Sequence, residues 1–233
     1  MRVVITGASK GIGEAIALEL APASEVMFLL ARSGELLNQV AGKVQAVNSE
    51  CTVIAKEFDV THEASIDQLA SAISDSYEGL DVLVNCAGYA IPATAVQETS
   101  LDEWNTIFSV NVTAPYLMTK RFISLLRQSS NASIINIAST AGTSPRPGWS
   151  AYAASKAALV NFSNTMAEEL KPDGIHVHCV APGRTATELR RVLAPDEDPS
   201  TIMQPEAVAR IVSYLVGENG NFLKGQTILV RGD

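Results

Sequence analysis

The sequence has few cysteines, no surplus of basic charge and no long apolar run, and each absence closes off a class of protein. Three cysteines, Cys51, Cys86 and Cys179, stand far apart in apolar stretches of the 233-residue chain. An odd, scattered set does not make a disulfide framework and points to reduced thiols in a cytoplasmic protein. Lysine and arginine number 17 against 25 aspartates and glutamates, a formal net charge of -8. Nucleic-acid binders usually carry a basic patch, so no nucleic-acid partner is expected. Acidity by itself speaks mainly to solubility. Apolar runs fall short of a bilayer span, so no membrane role is expected. A strand-like run begins at residue 2, so no leader peptide is expected. Internal repeats and low-complexity linkers are missing too.

What is present is an alternation. "RVVIT" precedes glycines and "EAIALELA"; "EVMFLLA" precedes "ELLNQVAGKVQAV". "CTVIAKEFDV" precedes a run in which Ile66, Leu69, Ala70, Ile73 and Tyr77 follow helical spacing. "LDVLVNCAG" and "SIINIAS" read as strands with two helical runs between them. One of those opens at Ser100 and Glu103, a capping-box pattern. An alanine-rich helix, "IHVHCVAPG", the helical "PEAVARIVSYLV" and a last strand "TILVRG" complete the chain. Repeated strand–helix units predict parallel strands joined by right-handed crossovers. Near-continuous apolar strands predict helices on both faces. The fold class is therefore α/β, a doubly wound parallel sheet of about seven strands. In such sheets ligands bind beyond the carboxyl ends of the strands.

Chemistry-bearing residues collect at those ends. Gly7, Gly11 and Gly13 in "TGASKGIG" follow the first strand and open a helix. Glycine allows a tight turn and close backbone approach, and a helix N-terminus attracts phosphate. Tyr152 and Lys156, four apart in "YAASK", share one helix face. Taken alone they could be an ordinary half-buried pair. A cation about 4 Å from a phenolate at an effective dielectric of about 20 contributes roughly 4 kcal/mol. That would bring a phenol of pKa ~10 towards acid–base range, so Lys156 is expected to lower Tyr152. His176 and His178 alternate on one strand. With no third ligand evident, the simpler reading is a strand alternating outward, and no metal is expected.

The glycine spacing, "DV" at Asp59 and Val60, "NCAG" at Asn85 to Gly88, Asn111 in "SVNV", Ser139 in "INIAS", "YAASK" and "APG" at 181 to 183 occur in order. In this the chain resembles the compact branch of the short-chain dehydrogenase/reductase family, nearly end to end. The resemblance implies a Rossmann fold, one NAD(P)-binding domain over 1–233 with a short substrate loop at about 184–204. It implies a carbonyl–secondary alcohol oxidoreductase with Asn111, Ser139, Tyr152 and Lys156 as catalytic residues. Tyr152 would donate the proton, Ser139 would bond the carbonyl, and Lys156 would hold the nicotinamide ribose. Asn111 would position a water for Lys156.

The same resemblance places the cofactor against Gly7, Ser9, Lys10, Gly11, Ile12 and Gly13, against Arg32, Asp59 and Val60, and against Asn85, Ala87 and Gly88. Tyr152, Lys156, Pro182, Gly183, Thr185 and Thr187 complete that set. A 2′-phosphate wants a cation where a free 2′-hydroxyl wants an acid. Arg32 follows the second strand and Lys10 lies in the glycine loop, so NADP(H) is expected over NAD(H). Arg32 could instead pair with Glu35. Family positions of the substrate pocket fall on Tyr89, Arg146, Trp149 and Arg184, a set in which an arginine could receive a carboxylate or phosphate. Thr185 stands where the family often has an aliphatic residue, and "RGD" replaces its usual ending. The expected partner is a small carbonyl or alcohol, and the expected assembly a homodimer or homotetramer. Two other functions fit the resemblance: an NADPH-binding regulator without turnover, and a sugar-phosphate ketone reductase.

Overall fold

Seven strands, all parallel, form one sheet in the order β3-β2-β1-β4-β5-β6-β7. They are β1 Arg2–Thr6, β2 Val26–Ala31, β3 Thr52–Glu57, β4 Val82–Asn85, β5 Ser133–Ile137, β6 His176–Pro182 and β7 Thr227–Val230. The structure is a computed structural model and describes residues 1–217, 220, 222–223 and 225–232. Helices α1 Gly11–Leu20, α2 Gly34–Val47 and α3 Glu63–Ser76 separate the first four strands. Next come α4 Leu101–Phe108, a π-helical turn Ser109–Thr113 and α5 Ala114–Leu126. The last helices are α6 Ser150–Glu169, α7 Glu188–Leu193 and α8 Pro205–Val216.

The period of two decides which helix covers which face. Val3 and Ile5 of β1 pack with Met27, Leu29, Val84 and Ile135 against Ile16, Val40 and Val212 of α1, α2 and α8. Val4 points the other way, with Phe28, Leu83 and Ile134, onto Ile66, Phe122 and Met166 of α3, α5 and α6. Phe122 is fully buried. Its truncation to alanine would cost about 3–5 kcal/mol. The box at Ser100 is formed: Glu103 N donates to Ser100 Oγ at 3.2 Å, and Ser100 N donates to Glu103 Oε2 at 2.9 Å. No helix among the described residues is long and apolar enough to cross a membrane.

Two local expectations are corrected. β3 stops at Glu57, before "FDV", because Asp59 Oδ1 captures Thr61 N at 2.9 Å and Thr61 Oγ1 at 2.7 Å. That side-chain turn competes with the ladder and bends the chain across the sheet end. His178 does not alternate outward; it is fully buried, since β6 lies under helices on both sides. Among the described residues no group of three or more His, Cys, Asp or Glu is placed to hold a metal. Of the closing "RGD", Arg231 and Gly232 follow β7, and Asp233 lies outside the described residues.

Candidate active site

The strand order reverses between β1 and β4, so their carboxyl ends part and open a crevice. Thr6 holds its lip: Oγ1 accepts from Cys86 N at 3.0 Å and Ala87 N at 3.1 Å, and donates to Val84 O at 3.3 Å. Gly7 has φ +67°, and a Cβ there would lie 2.8 Å from Ala87 Cα. A Cβ on Gly13 would lie 2.2 Å from Gly7 O. Only glycine lets the turn fold this tightly under the start of α1. No side chain caps α1, so its first-turn N–H groups face the crevice mouth.

The crevice has a volume of about 390 Å³. Gly7, Ser9, Lys10, Gly11, Ile12, Gly13, Arg32, Asp59, Val60, Ala87, Gly88, Tyr152, Lys156 and Thr187 line it. A long, phosphate-bearing dinucleotide fits this set. The glycine cradle admits close backbone approach, the open helix N-terminus meets a phosphate, and Arg32 stands at the far end. Asn85 does not line it. That side chain is buried beneath the floor, where Nδ2 donates to Asn136 Oδ1 at 2.8 Å, and Asn136 Nδ2 donates to Ser163 Oγ at 2.9 Å. Its place is structural, tying β4 to β5 and α6. Pro182, Gly183 and Thr185 line an adjoining cavity with Ser139. Tyr89, expected on the substrate side, lies on the crevice wall instead.

Tyr152 and Lys156 sit on consecutive turns of α6 and line the crevice together. The helix is pressed against the turn Thr140–Gly142, where a Cβ on Gly142 would meet the Lys156 backbone at 2.6 Å. The Ser139 hydroxyl stands beside the Tyr152 phenol, and its Oγ accepts from Ala141 N at 3.1 Å. Burial pushes the phenol up to about 12, against the influence of Ser139 and the charge of Arg190. Lys156 is not among the groups that lower it. Its Nζ donates to Ile137 O at 2.9 Å and lies 5.9 Å from the Tyr152 ring centroid. The ammonium is tethered to β5 and makes no hydrogen bond to the phenol it was expected to tune. Burial brings Lys156 itself down to about 8.

Asn111 lies in the π turn, where Ala114 N reaches back to Ser109 O. The widened turn places the side chain inward, with no exposure. Oδ1 accepts from Tyr89 N at 2.8 Å, and Nδ2 donates to Tyr89 O at 2.9 Å and Ser155 Oγ at 3.0 Å. The side-chain amide is thus committed to protein groups, and a water held by Asn111 would have to be held by its backbone. It clamps the segment after Gly88 onto α6.

The two expected phosphate cations differ. Arg32 is exposed and, among the described residues, pairs with no carboxylate within 4 Å, Glu35 included; its charge is felt at Asp59. Lys10 is bonded to Glu188 at the start of α7. That pair spans the crevice mouth.

Beyond Tyr152 lies a second cavity of about 350 Å³, with Arg146, Trp149 and Arg184 on its wall as expected. Its roof is α7, which sequence reasoning passed over as loop. Leu189 and Leu193, four apart, face inward, and Thr187 Oγ1 accepts from Arg190 N at 3.1 Å as the cap. The spacing of those leucines behind a threonine was the available signal. Arg190 and Thr140 also line this cavity. The segment is closed at its neck, where Thr185 bridges Met203 and Ala186 N donates to Met203 O at 2.8 Å.

Comparison with known proteins places this geometry. A family model described as short chain dehydrogenase matches residues 1–198. A 3-oxoacyl-[acyl-carrier-protein] reductase of Synechocystis is 34% identical over 98% of this chain and 94% of its own. A short chain dehydrogenase of Escherichia coli CFT073, solved with NADPH, is 29% identical with a TM-score of 0.89, covering 98% of this chain and 95% of that one. A 3-ketoacyl-(acyl-carrier-protein) reductase of Brucella melitensis, solved with NADH, is 27% identical with a TM-score of 0.86 over 98% and 95% of the two chains.

Proposed function

The chain belongs to the short chain dehydrogenase family, and from that premise we propose that it is an NADP(H)-preferring reductase in which Tyr152 is the proton donor to a carbonyl. The coarser activity comes with the family: an NAD(P)-dependent oxidoreductase acting on CH–OH and C=O groups. The observation that carries the finer reading is the placement of Tyr152. The residue lies on the boundary between the dinucleotide-shaped crevice and the second cavity, beside Ser139.

When bound, the nicotinamide cofactor supplies the hydride. The residues of the chain do the rest. A phenol held near 12 is fully protonated at neutral pH, the form needed to give a proton to a carbonyl oxygen. Ser139 lines the same cavity beside that phenol, so its hydroxyl is placed to hold the same oxygen. Lys156, cationic below about 8, supplies positive charge beside the crevice. Thr187 and the α1 N-terminus are the natural holders of the cofactor's phosphates.

NADP preference rests on Arg32, a cation clear of carboxylates at the end of β2 where a 2′-hydroxyl binder would place an acid. We assign one cofactor-binding domain across residues 1–233, with a small organic carbonyl as partner. Oxidation of NADPH and NADH is to be measured across ketones, aldehydes, quinones and ketoacyl thioesters, with Tyr152→Phe as control. NADPH is expected to be used better, and Tyr152→Phe to lose turnover. Equal or better use of NADH overturns the cofactor reading, and near-full activity in Tyr152→Phe overturns the acid. NADPH binding without any turnover would favour the regulator.

A further inference from the structure

Three arginines line the cavity beyond Tyr152, and among the described residues no aspartate or glutamate does. Arg146 and Arg184 stand at its rim with Arg190 on α7. One carboxylate serves two of them from behind. Glu197 Oε2 accepts from Arg190 Nε at 2.5 Å, and Oε1 accepts from Arg190 Nη2 at 2.8 Å and Arg184 Nε at 2.6 Å. Hydrogen bonds from Arg190, opposed by burial and joined by Arg184, hold that carboxyl at about 2. Glu197 is not part of the cavity wall. Nearby acids are engaged elsewhere: Glu188 by Lys10, and Asp198 by Ser200 N and Oγ. The cavity therefore keeps an excess of positive charge on its inner face.

Arg190 is also fixed in place. Only 18% of its side chain is exposed, and Cζ lies 5.3 Å from the centroid of Trp149. The Trp149 ring meets Tyr152 edge-on at 6.4 Å, so guanidinium, indole and phenol form a row. A surface arginine neutralised by a partner would lack this bracing. An arginine held by a carboxylate behind and an aromatic ring beside has its free donors pre-aimed. Glu197 takes the edge made by Nε and Nη2, which leaves the Nη1–Nη2 edge outside the pair. That edge offers two parallel N–H donors, the spacing that matches a planar carboxylate.

We propose that this cavity receives an organic carboxylate, and that Arg190, braced by Glu197 and Trp149, is the residue that recognises it. Resting on the carbonyl reduction assigned to Tyr152, the substrate class becomes a keto acid, whose carbonyl faces the phenol while its carboxylate faces Arg190. Arg146 and Arg184 add charge at the entrance and favour the approach of an anion.

Binding tests this without needing turnover. In a Trp104→Phe background Trp149 is the sole tryptophan of the two in the chain. Its fluorescence is to be titrated in the NADP⁺-loaded protein with 4-oxopentanoate, the methyl ester of 4-oxopentanoate and inorganic phosphate. The acid is expected to bind about tenfold or more tighter than the ester, the effect of one favourable ion pair away from bulk water. Arg190→Met should erase that preference. Glu197→Gln, which keeps Arg190 but loosens the carboxylate that braces it, should weaken the acid by less than Arg190→Met does. The inference falls if the ester binds as well as the acid, or if phosphate binds better than the acid. It falls equally if Glu197→Gln weakens the acid as Arg190→Met does, or if Arg190→Met weakens NADPH in parallel, since the arginine then serves the cofactor. Acid-selective binding with no NADPH oxidation by any carbonyl would refute the reductase and leave the anion site standing. Reduction of neutral ketones with no acid preference would do the reverse.

Discussion

Lys156 and Tyr152 share a helix face but not a hydrogen bond: the ammonium is 5.9 Å from the ring centroid and is held by the carbonyl of Ile137. The phenol answers to burial, Ser139 and Arg190 instead. Titrated by phenolate absorbance in the free protein, Tyr152 is expected near 12, identified by difference against Tyr152→Phe. Lys156→Met should leave that titration in place. In turnover, Tyr152→Phe should lower kcat by about 10²–10⁴-fold, the usual worth of a positioned acid.

Lys156 sets a second pH signature, this time in stability. Its folded value is about 8 and its ordinary value 10.5. Below 8 both states carry the proton, and the folded protein bears the whole cost of a buried ammonium. Between 8 and 10.5 the unfolded state binds more protons, so stability rises with pH. Cys86, raised from 9.0 to about 12, and Tyr152, raised from 10.0 to about 12, act oppositely, so the rise is checked from about 9 and stability falls from 10 towards 12. Urea unfolding of the free protein across pH 7–12 is expected to show the rise and then the fall. Lys156→Met should lack the rise.

Thr6→Val tests the lip of the crevice. Valine fills the same volume but offers no acceptor to Cys86 N and Ala87 N. Leaving buried donors unmet costs about 1–3 kcal/mol each at most. The variant should lose stability in denaturant melts by a few kcal/mol and weaken cofactor binding, because Ala87 and Gly88 line the crevice.

Arg32 and Lys10 should not contribute equally to a 2′-phosphate. Lys10 already has Glu188, whereas Arg32 pairs with no carboxylate among the described residues. Arg32→Asp is expected to lower kcat/KM for NADPH by about 10–100-fold, as loss of a charge-assisted contact implies, and to improve NADH. Lys10→Ala should do less. A larger effect at Lys10 would show that cofactor breaks the Glu188 pair.

The parallel sheet was legible because β1, β2, β4 and β5 are buried on both faces and must be apolar throughout. Glycines of the first turn were legible because Gly7 and Gly13 have backbone where a Cβ would go. Side-chain partnerships were not. Asn85 and Asn111 are polar residues near strand ends and helix turns, and spacing does not say whether they face a ligand or bond beneath it. Lys156 shows the same limit: a period of four fixes its face but not its acceptor. Helix α7 hid because six residues give only two inward apolar positions, Leu189 and Leu193, with Val192 exposed.

The neck at Thr185 and Met203 has a consequence for redesign. Both ends of the intervening segment meet there, joined by a strand bridge and the bond from Ala186 N to Met203 O. Everything between them, α7 included, leaves after β6 and returns before α8 at one point. The segment is thus a cassette: another loop with the same two anchor residues could be transplanted, exchanging the substrate wall. Such a graft has one fixed interface. Thr187 touches Gly11, whose Cβ would sit 3.2 Å from the threonine methyl. An incoming loop must keep a side chain no larger than threonine at that position, or it will displace the glycine turn on which the nucleotide rests.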